Sequence, residues 1–393
     1  MKYNVIYLSK EKYKGYILDF HNVTEYYYEV EVEVEKERFS VNMPLRKAEA
    51  PITSTGEDHD FPDVLYADYL QDAFAWGVVE DGKLIAAIET SPETWSNRLR
   101  INELWIADEY QKKGIGKALM DVVKEQARLE RRRAIILETQ SRNVNAIGFY
   151  LHEGFTLIGF DTCCYGNHDI QNKEVRFEMG WFPPEKLHLS ENDVVVRKET
   201  ETDYLKTEIM TRKAFWNKYH QGCNEHLLVH KLRNSDVYVP EISRIALIGD
   251  RVVGCVMYAR ASVKTEQSDQ EVLTFGPLCV DPEYHGCGIG EILMKHTMKL
   301  TKEAGFKAII IYGEPTYYPR LGFQTCDHFG ITTPDGKNFD AFMGIELMDG
   351  SLKDIQGKFF ESSVYEDLPI KELQELEKNM PVLPKIKFPC QWD

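Results

Sequence analysis

The chain has no apolar run approaching the roughly 18 residues that a bilayer-spanning helix needs, so no part of it reads as a membrane span. Positive charge is in short supply: across 393 residues, 47 Lys and Arg face 63 Asp and Glu, a net charge of −16. That balance argues against non-specific association with nucleic acid or with an anionic membrane. Cys-x-x-Cys is absent, and Cys163, Cys164, Cys223, Cys255, Cys279, Cys287, Cys326 and Cys390 follow no ligand or disulfide spacing. Free thiols in a cytoplasmic protein are the expectation. No secretory leader is expected, because Lys10, Lys12 and Lys14 interrupt any apolar core near the start of the given sequence. Nor does the composition resemble disorder, with 43% hydrophobic and 12% aromatic residues. The length fits two or three domains, each able to bury a core.

What the sequence does contain is a repeat. LWIADEYQKKGIGKALM from Leu104 and LCVDPEYHGCGIGEILM from Leu278 share 8 of 17 positions at an offset of 174 residues. FYLHEGF, ending at Phe155, and YYPRLGF, ending at Phe323, echo it at an offset of 168. So long a period indicates two copies of one domain rather than a solenoid, with a small deletion in the second copy. Trp181-Phe182-Pro183-Pro184 is a natural stop between them, since Pro-Pro continues neither ladder nor helix. The expected division is residues 1–182, residues 183–350, and a C-terminal tail of 351–393 packing on the second domain.

Periodicity gives a mixed α+β pattern in each copy. In the first, Tyr28–Phe39 alternates as a half-buried strand and Phe61–Phe74 reads as helical. A hairpin turns at Asp81-Gly82, Arg100–Ile106 is a strand, and Gly114–Arg131 is a helix. Ala134–Glu138, Asn143–His152 and Glu174–Phe182 follow as strand, helix and strand. The second copy repeats the order with helix Glu201–Asn217, a hairpin around Gly249-Asp250, strand Thr274–Val280, helix Gly288–Glu303 and strand Ala308–Tyr312. A helix over Pro369–Lys378 is expected in the tail.

Each copy places a glycine-rich turn between a strand and a helix. Glycines let the backbone approach an anion, and the unpaired N–H groups of the first helical turn point at it. Gly116-Lys117-Ala118 lacks the hydroxyl and the upstream glycine of a Walker A loop, and neither copy has the third glycine of a Rossmann fingerprint. Both copies instead show [Gln/His]-x-x-Gly-x-Gly: Gln111-Lys112-Lys113-Gly114-Ile115-Gly116 and His285-Gly286-Cys287-Gly288-Ile289-Gly290.

At these residues each half resembles the GNAT superfamily of acetyl-CoA-dependent N-acetyltransferases. The first half is similar to streptothricin acetyltransferases through Trp95–Ile101, Glu103-Leu104-Trp105, Glu138-Thr139-Gln140 and Asp161-Thr162 with Tyr165 and Asn167. The second resembles a different bacterial GNAT branch through Phe215-Trp216-Asn217, Gly222–His226, Phe275-Gly276-Pro277 and Tyr317-Tyr318-Pro319-Arg320. The resemblance implies two tandem α+β domains, each a central mixed sheet flanked by helices, and acetyl-CoA as cofactor, up to two per chain. It implies that the turns hold the CoA pyrophosphate, with Lys117 beside the first. The strand residues Trp105, Ile106, Leu278 and Val280 would then meet the pantetheine, and Asn143 would contact the cofactor.

The expected reaction is acetyl transfer to a primary amine of a small cationic acceptor, with no nucleic-acid or membrane partner. An amine of pKa about 10.4 is mostly charged at neutrality, a deficit of roughly 4 kcal/mol that a base or water chain must overcome. By resemblance, Tyr150 and Tyr318 are the proton donors to the departing CoA thiolate. Both could instead be core aromatics. Glu103 is the leading proton acceptor in the first domain and Glu138 its rival. The second domain has Pro277 at the place of Glu103 and Ile311 at the place of Asn143, so a non-catalytic CoA- or ligand-binding module is the alternative reading there. Its acceptor-side candidate is Glu225. His220, Cys223, His226 and His230 have ligand-like spacing, but a metal site is not expected. The acidic run Glu57-Asp58-His59-Asp60 reads as a solvated loop, or as a gate attracting a polycation.

Overall fold

The computed structural model describes residues 3–55 and 62–392; the run Glu57-Asp58-His59-Asp60 lies outside them. The chain divides into two compact units, Met1–Pro184 with Pro384–Asp393, and Glu185–Leu383.

The first unit is built on a seven-stranded sheet: β1 (Val5–Leu8), β2 (Phe74–Glu80), β3 (Lys83–Glu93), β4 (Arg98–Ile106), β5 (Ala134–Gln140), β6 (Thr156–Asp161) and β7 (Arg176–Trp181), in the order β1-β2-β3-β4-β5-β7-β6. Helix α1 (Ile115–Leu129) follows β4, and α2 (Val144–His152) follows β5. One α1 face, including Leu119, Met120, Val122 and Val123, is buried against Leu99, Ile101, Ile135 and Leu137 of the sheet. The spacing of those helical residues matches the turn of the helix, which is why the segment was legible.

The second unit repeats the order. Its strands are β8 (Val195–Arg197), β9 (Arg244–Ile248), β10 (Arg251–Lys264), β11 (Asp269–Val280), β12 (Ala308–Tyr312), β13 (Gln324–Thr325), β14 (Ile331–Thr332), β15 (Phe342–Glu346) and β16 (Gly357–Phe360). The path is β8-β9-β10-β11-β12-β15-β13, and β16 pairs with β10 and β14. The helices are α3 (Tyr204–Phe215), α4 (Glu225–Leu232), α5 (Ile289–Glu303) and α6 (Ile370–Glu377).

Each path has one parallel neighbour pair, and that pair opens. β4 and β5 are in register at Arg98↔Ala134, Leu99↔Ile135 and Arg100↔Ile136, then run on without a ladder. β11 and β12 meet only at Leu273↔Ile309. Beyond these points the strands diverge and leave backbone groups free in a wedge. Register shifts beside each wedge, between Glu89 and Thr90 against β4 and between Val256 and Tyr258 against β11, change which face the following residues present.

Three expectations need correction. Tyr28–Phe39 is not one half-buried strand: Glu31–Val34 and Phe39–Asn42 pair as a hairpin, with Val34 67% and Phe39 77% exposed, because among the described residues no second layer covers it. The described part of Phe61–Phe74 contains no helix; Tyr66 and Asp72 adopt left-handed backbone angles that interrupt it, while Leu65 and Tyr66 are buried in turns. The tail does not pack as a whole on the second domain. Its last ten residues belong to the first unit, where Phe388 meets Trp76 with ring centroids 5.7 Å apart and Trp76 Nε1 donates to Lys387 O at 2.8 Å. A fragment ending at residue 182 would therefore lose Ile386 and Phe388 from its core.

Candidate functional site

The two glycine turns have the same backbone. Lys112 and Gly114 have φ of +57° and +88°, and Gly286 and Gly288, 174 residues on, have +82° and +93°. The first residue of each turn braces it. Gln111 Nε2 donates to Ile106 O at 3.2 Å, and His285 Nε2 lies 2.8 Å from Val280 O. The side chains of Gln111 and His285 thus shape the loop, leaving anion contact to the backbone. The α1 ladder begins with Ala118 N to Gly114 O at 3.2 Å, so the N–H groups of Ile115, Gly116 and Lys117 have no partner within the helix.

Gly116 and Gly290 serve a second purpose. A Cβ on Gly116 would lie 3.2 Å from Phe149, and one on Gly290 would lie 2.7 Å from the Tyr317 hydroxyl. These aromatics come from the motif near Phe155 and Phe323, so the two halves of each repeat meet at that glycine.

The charges around the turns differ. Lys113 stacks on Tyr110 at 5.0 Å, and Lys117 pairs with Asp121 at 2.9 Å, which ties up one of the three expected cations. In the second unit His188, from the segment before β8, lies against Gly288, where a Cβ would come within 2.4 Å of the ring. Leu189 N donates to Cys287 O at 2.7 Å, and Lys186 Nζ donates to the carbonyls of Pro282 and Glu283. Sequence reasoning missed His188 because the segment lies about a hundred residues before the turn.

Glu103 follows the point where β4 leaves β5. Burial pushes its carboxyl well above the usual range, and the charges of Asp63, Glu89 and Glu138 push it further. No cation pairs with it among the described residues. Its ladder partner Glu89 is buried, accepts from Tyr66 N at 2.6 Å, and is also raised, chiefly by burial. Glu138 is different: Arg176 Nη2 lies 2.5 Å away and Arg100 Nη1 3.8 Å away. Its carboxylate is thus engaged by two guanidinium groups, whereas no cation pairs with Glu103 among the described residues, so Glu103 is the more available proton acceptor of the two.

Tyr150 is buried between Phe149 and Phe155, with ring centroids 5.6 and 5.9 Å away. Burial raises its hydroxyl, and the Glu103 charge raises it further, so the structure brings the two candidates into electrostatic reach. The other assignments are mixed. Asn143 caps α2, its Oδ1 accepting from Ala146 N at 3.3 Å. Trp105 is buried with Nε1 donating to Asp19 O at 2.8 Å, so its side chain is committed to the core.

In the second unit Tyr318 is buried against Phe275, Tyr317 and Phe323, and burial raises it strongly. The counterpart of α2 is reduced to a single 3-10 turn, Tyr318–Leu321. Ile311 is a buried residue of β12, which explains the missing Asn: the deletion removed the helix it would cap. Glu225 starts α4, accepts from Asn224 N at 3.1 Å, and is raised by burial. The ligand-like histidines do not converge. His226 is buried beside Cys223 and Glu377, its ring pushed down to about 3 by burial, whereas His230 pairs with Glu208.

The sequence comparisons agree with this architecture. Residues 43–155 match the acetyltransferase (GNAT) family, and residues 234–325 match the acetyltransferase (GNAT) domain. The chain belongs to the GNAT acetyltransferase family and carries two of its domains in tandem. It is 32% identical over 99 residues to the uncharacterized N-acetyltransferase YjhQ of Escherichia coli K12, covering 25% of this chain and 55% of YjhQ. It is 26% identical over 165 residues to the uncharacterized N-acetyltransferase YhbS of the same strain, covering 42% of this chain and 93% of YhbS. A streptothricin acetyltransferase of Escherichia coli is 30% identical over 112 residues, 28% of this chain and 64% of that protein. The Escherichia coli YhbS structure in complex with CoA aligns over 48% of this chain and 98% of its own, at 22% identity and a TM-score of 0.40. No helix among the described residues is long and apolar enough to cross a membrane.

Proposed function

We propose that the protein transfers the acetyl group of acetyl-CoA directly to a primary amine of a small cationic acceptor within a ternary complex. One observation carries the reading: Glu103, with no cation paired to it among the described residues, sits at the open β4–β5 wedge, where its charge is felt at the buried Tyr150 hydroxyl, and β4 leads into a turn whose first helical N–H groups have no partner within the helix. The turn takes the CoA pyrophosphate on backbone N–H groups, helped by Lys112 and Lys113. Free backbone groups of β4 pair with the pantetheine. Glu103 removes a proton from the ammonium, directly or through water, and the uncovered lone pair attacks the thioester carbonyl. Collapse breaks the C–S bond, the nitrogen sheds its second proton to leave a neutral amide, and Tyr150 protonates the departing sulfur, for a net release of one proton. Asp63, Glu89 and Glu103 together favour a cationic acceptor, an amine of the streptothricin kind being the leading candidate.

The second domain has Pro277 in place of the strand carboxylate and lacks the α2 counterpart. The alternative for that half, a CoA- or ligand-binding module without turnover, rests on these two features; a transferase there needs a proton acceptor from outside the repeat.

The test is release of CoA thiol by the full chain from acetyl-CoA with streptothricin, spermidine or lysine. Release that requires both acetyl-CoA and amine is expected. The part abolished by Gly114→Glu, which sets a carboxylate in the first turn, is assigned to the first domain. Absence of amine-dependent release with all three would contradict the reading.

A further inference from the structure

The second domain's wedge holds a carboxylate that comes from outside the repeat. β11 separates from β12 just after Leu273, so Thr274 is the first residue of the opening. Its neighbour Phe275 turns into the core against Tyr318, at 5.8 Å. Thr274 faces the opposite side, where α4 packs on Met257 and Ala259 together with Tyr365 and Leu368. There Glu361, the residue after β16, places Oε1 3.1 Å from Thr274 Oγ1. The β16 strand fixes this approach by pairing Phe360 with Ser262 of β10.

The surroundings of Glu361 differ from those of Glu103. Thr274 and Tyr312 stand at the positions of Arg100 and Glu138, 174 residues apart in each case. The arginine–carboxylate lattice of the first unit is therefore absent here. The Tyr365 ring covers Gly276, where a Cβ would come within 3.2 Å of it, and Gly276 precedes the Pro277 that replaces Glu103. The Tyr365 hydroxyl is buried and has no hydrogen-bond partner, an unmet polar atom beside the carboxylate. Such atoms are rare in native interiors unless a ligand or water completes them.

We infer that Glu361 is the proton acceptor for the amine in the second domain, supplied by the C-terminal segment in place of the lost strand carboxylate, with Tyr365 beside it to hold the acceptor or a water. The assignment deepens the transferase reading of this domain and rests on it. In the step, an ammonium N–H bond breaks and its proton passes to Glu361. The nitrogen lone pair forms the C–N bond, and the C–S bond breaks with its electron pair staying on sulfur. The nitrogen sheds its second proton, and the sulfur takes one through Tyr318. The net change is ammonium plus acetyl-CoA to amide, CoA thiol and one proton.

Burial pushes the Glu361 carboxyl up to about 7; Glu366 raises it, and the Thr274 hydroxyl opposes the shift. Tyr312 of β12 and Tyr365 also face it, and no cation pairs with it among the described residues. The base form therefore accumulates as pH rises through neutrality.

The test uses the full chain carrying Gly114→Glu, so that only the second turn is intact, with acetyl-CoA and the probe amines spermidine and lysine. The expected kcat/KM rises with pH through a midpoint near 7. Glu361→Gln, which keeps the contact with Thr274, should lower it about 100-fold or more at neutrality and remove that limb, with the melting temperature retained. Glu361→Asp, shorter but acidic, should keep the limb at a reduced rate. A Glu361→Gln protein with the parent's rate and pH profile would overturn the assignment alone. A parent releasing no CoA with either amine overturns the transferase reading of this domain, and the assignment falls with it.

Discussion

Glu103→Gln in the full chain is expected to lower the Gly114-dependent kcat/KM by about 10²–10⁴ near neutrality, with partial recovery as pH rises and free amine becomes common. Gln keeps the size and hydrogen bonding of Glu but accepts no proton. The same substitution separates catalysis from folding. Burial raises the Glu103 carboxyl in the folded chain, so the folded state binds its proton more tightly than the unfolded state. Folding free energy is then lost as pH climbs from the unfolded value of 4.5 through the folded one. Removing the ionisable group removes that loss, and the variant should melt at or above the parent temperature at pH 8. A stable variant with parental rate and pH profile would take Glu103 out of the site, leaving Glu138 to be tested next.

Tyr150→Phe should lower the Gly114-dependent kcat by about 10²–10⁴ while CoA affinity hardly changes. The ring contacts with Phe149 and Phe155 survive the substitution; only the hydroxyl is lost. Because burial and the Glu103 charge both hold that hydroxyl protonated, it is a donor throughout the neutral range. An unchanged kcat, with chemistry shown to limit the rate, would reduce Tyr150 to core packing. Both variants belong in the full chain, since the first unit's core includes Phe388 from the far end.

The motif-bearing centre of each domain was legible because its signals are local. Alternation marks β4, helical spacing marks α1, and the paired glycines occupy left-handed angles that the sequence advertises. Tyr150 and Glu103 were each singled out only through the family resemblance, and the electrostatic link between them needs the folded chain. What stayed hidden depends on distant contacts. Glu89 reads as one strand residue among many until Tyr66 N bonds to it. Glu361 acquires meaning only when β16 joins β10. The hairpin at Glu31–Asn42 misled for the opposite reason: its alternation is real, but among the described residues nothing covers its apolar face, so periodicity predicted a burial that the described tertiary structure does not supply. Ile311 likewise read as a lost contact, when the helix that Asn143 caps had been removed altogether.

Calorimetric titration of the full chain with acetyl-CoA tests the central claim most directly. Two matching turns with free N–H groups predict two acetyl-CoA molecules per chain at unequal sites, the tighter at Gly114, where Lys112 and Lys113 stand. Gly114→Glu should abolish that tighter site and leave the weaker one. A single site that persists unchanged in Gly114→Glu would contradict both the pairing of the domains as cofactor sites and their ranking.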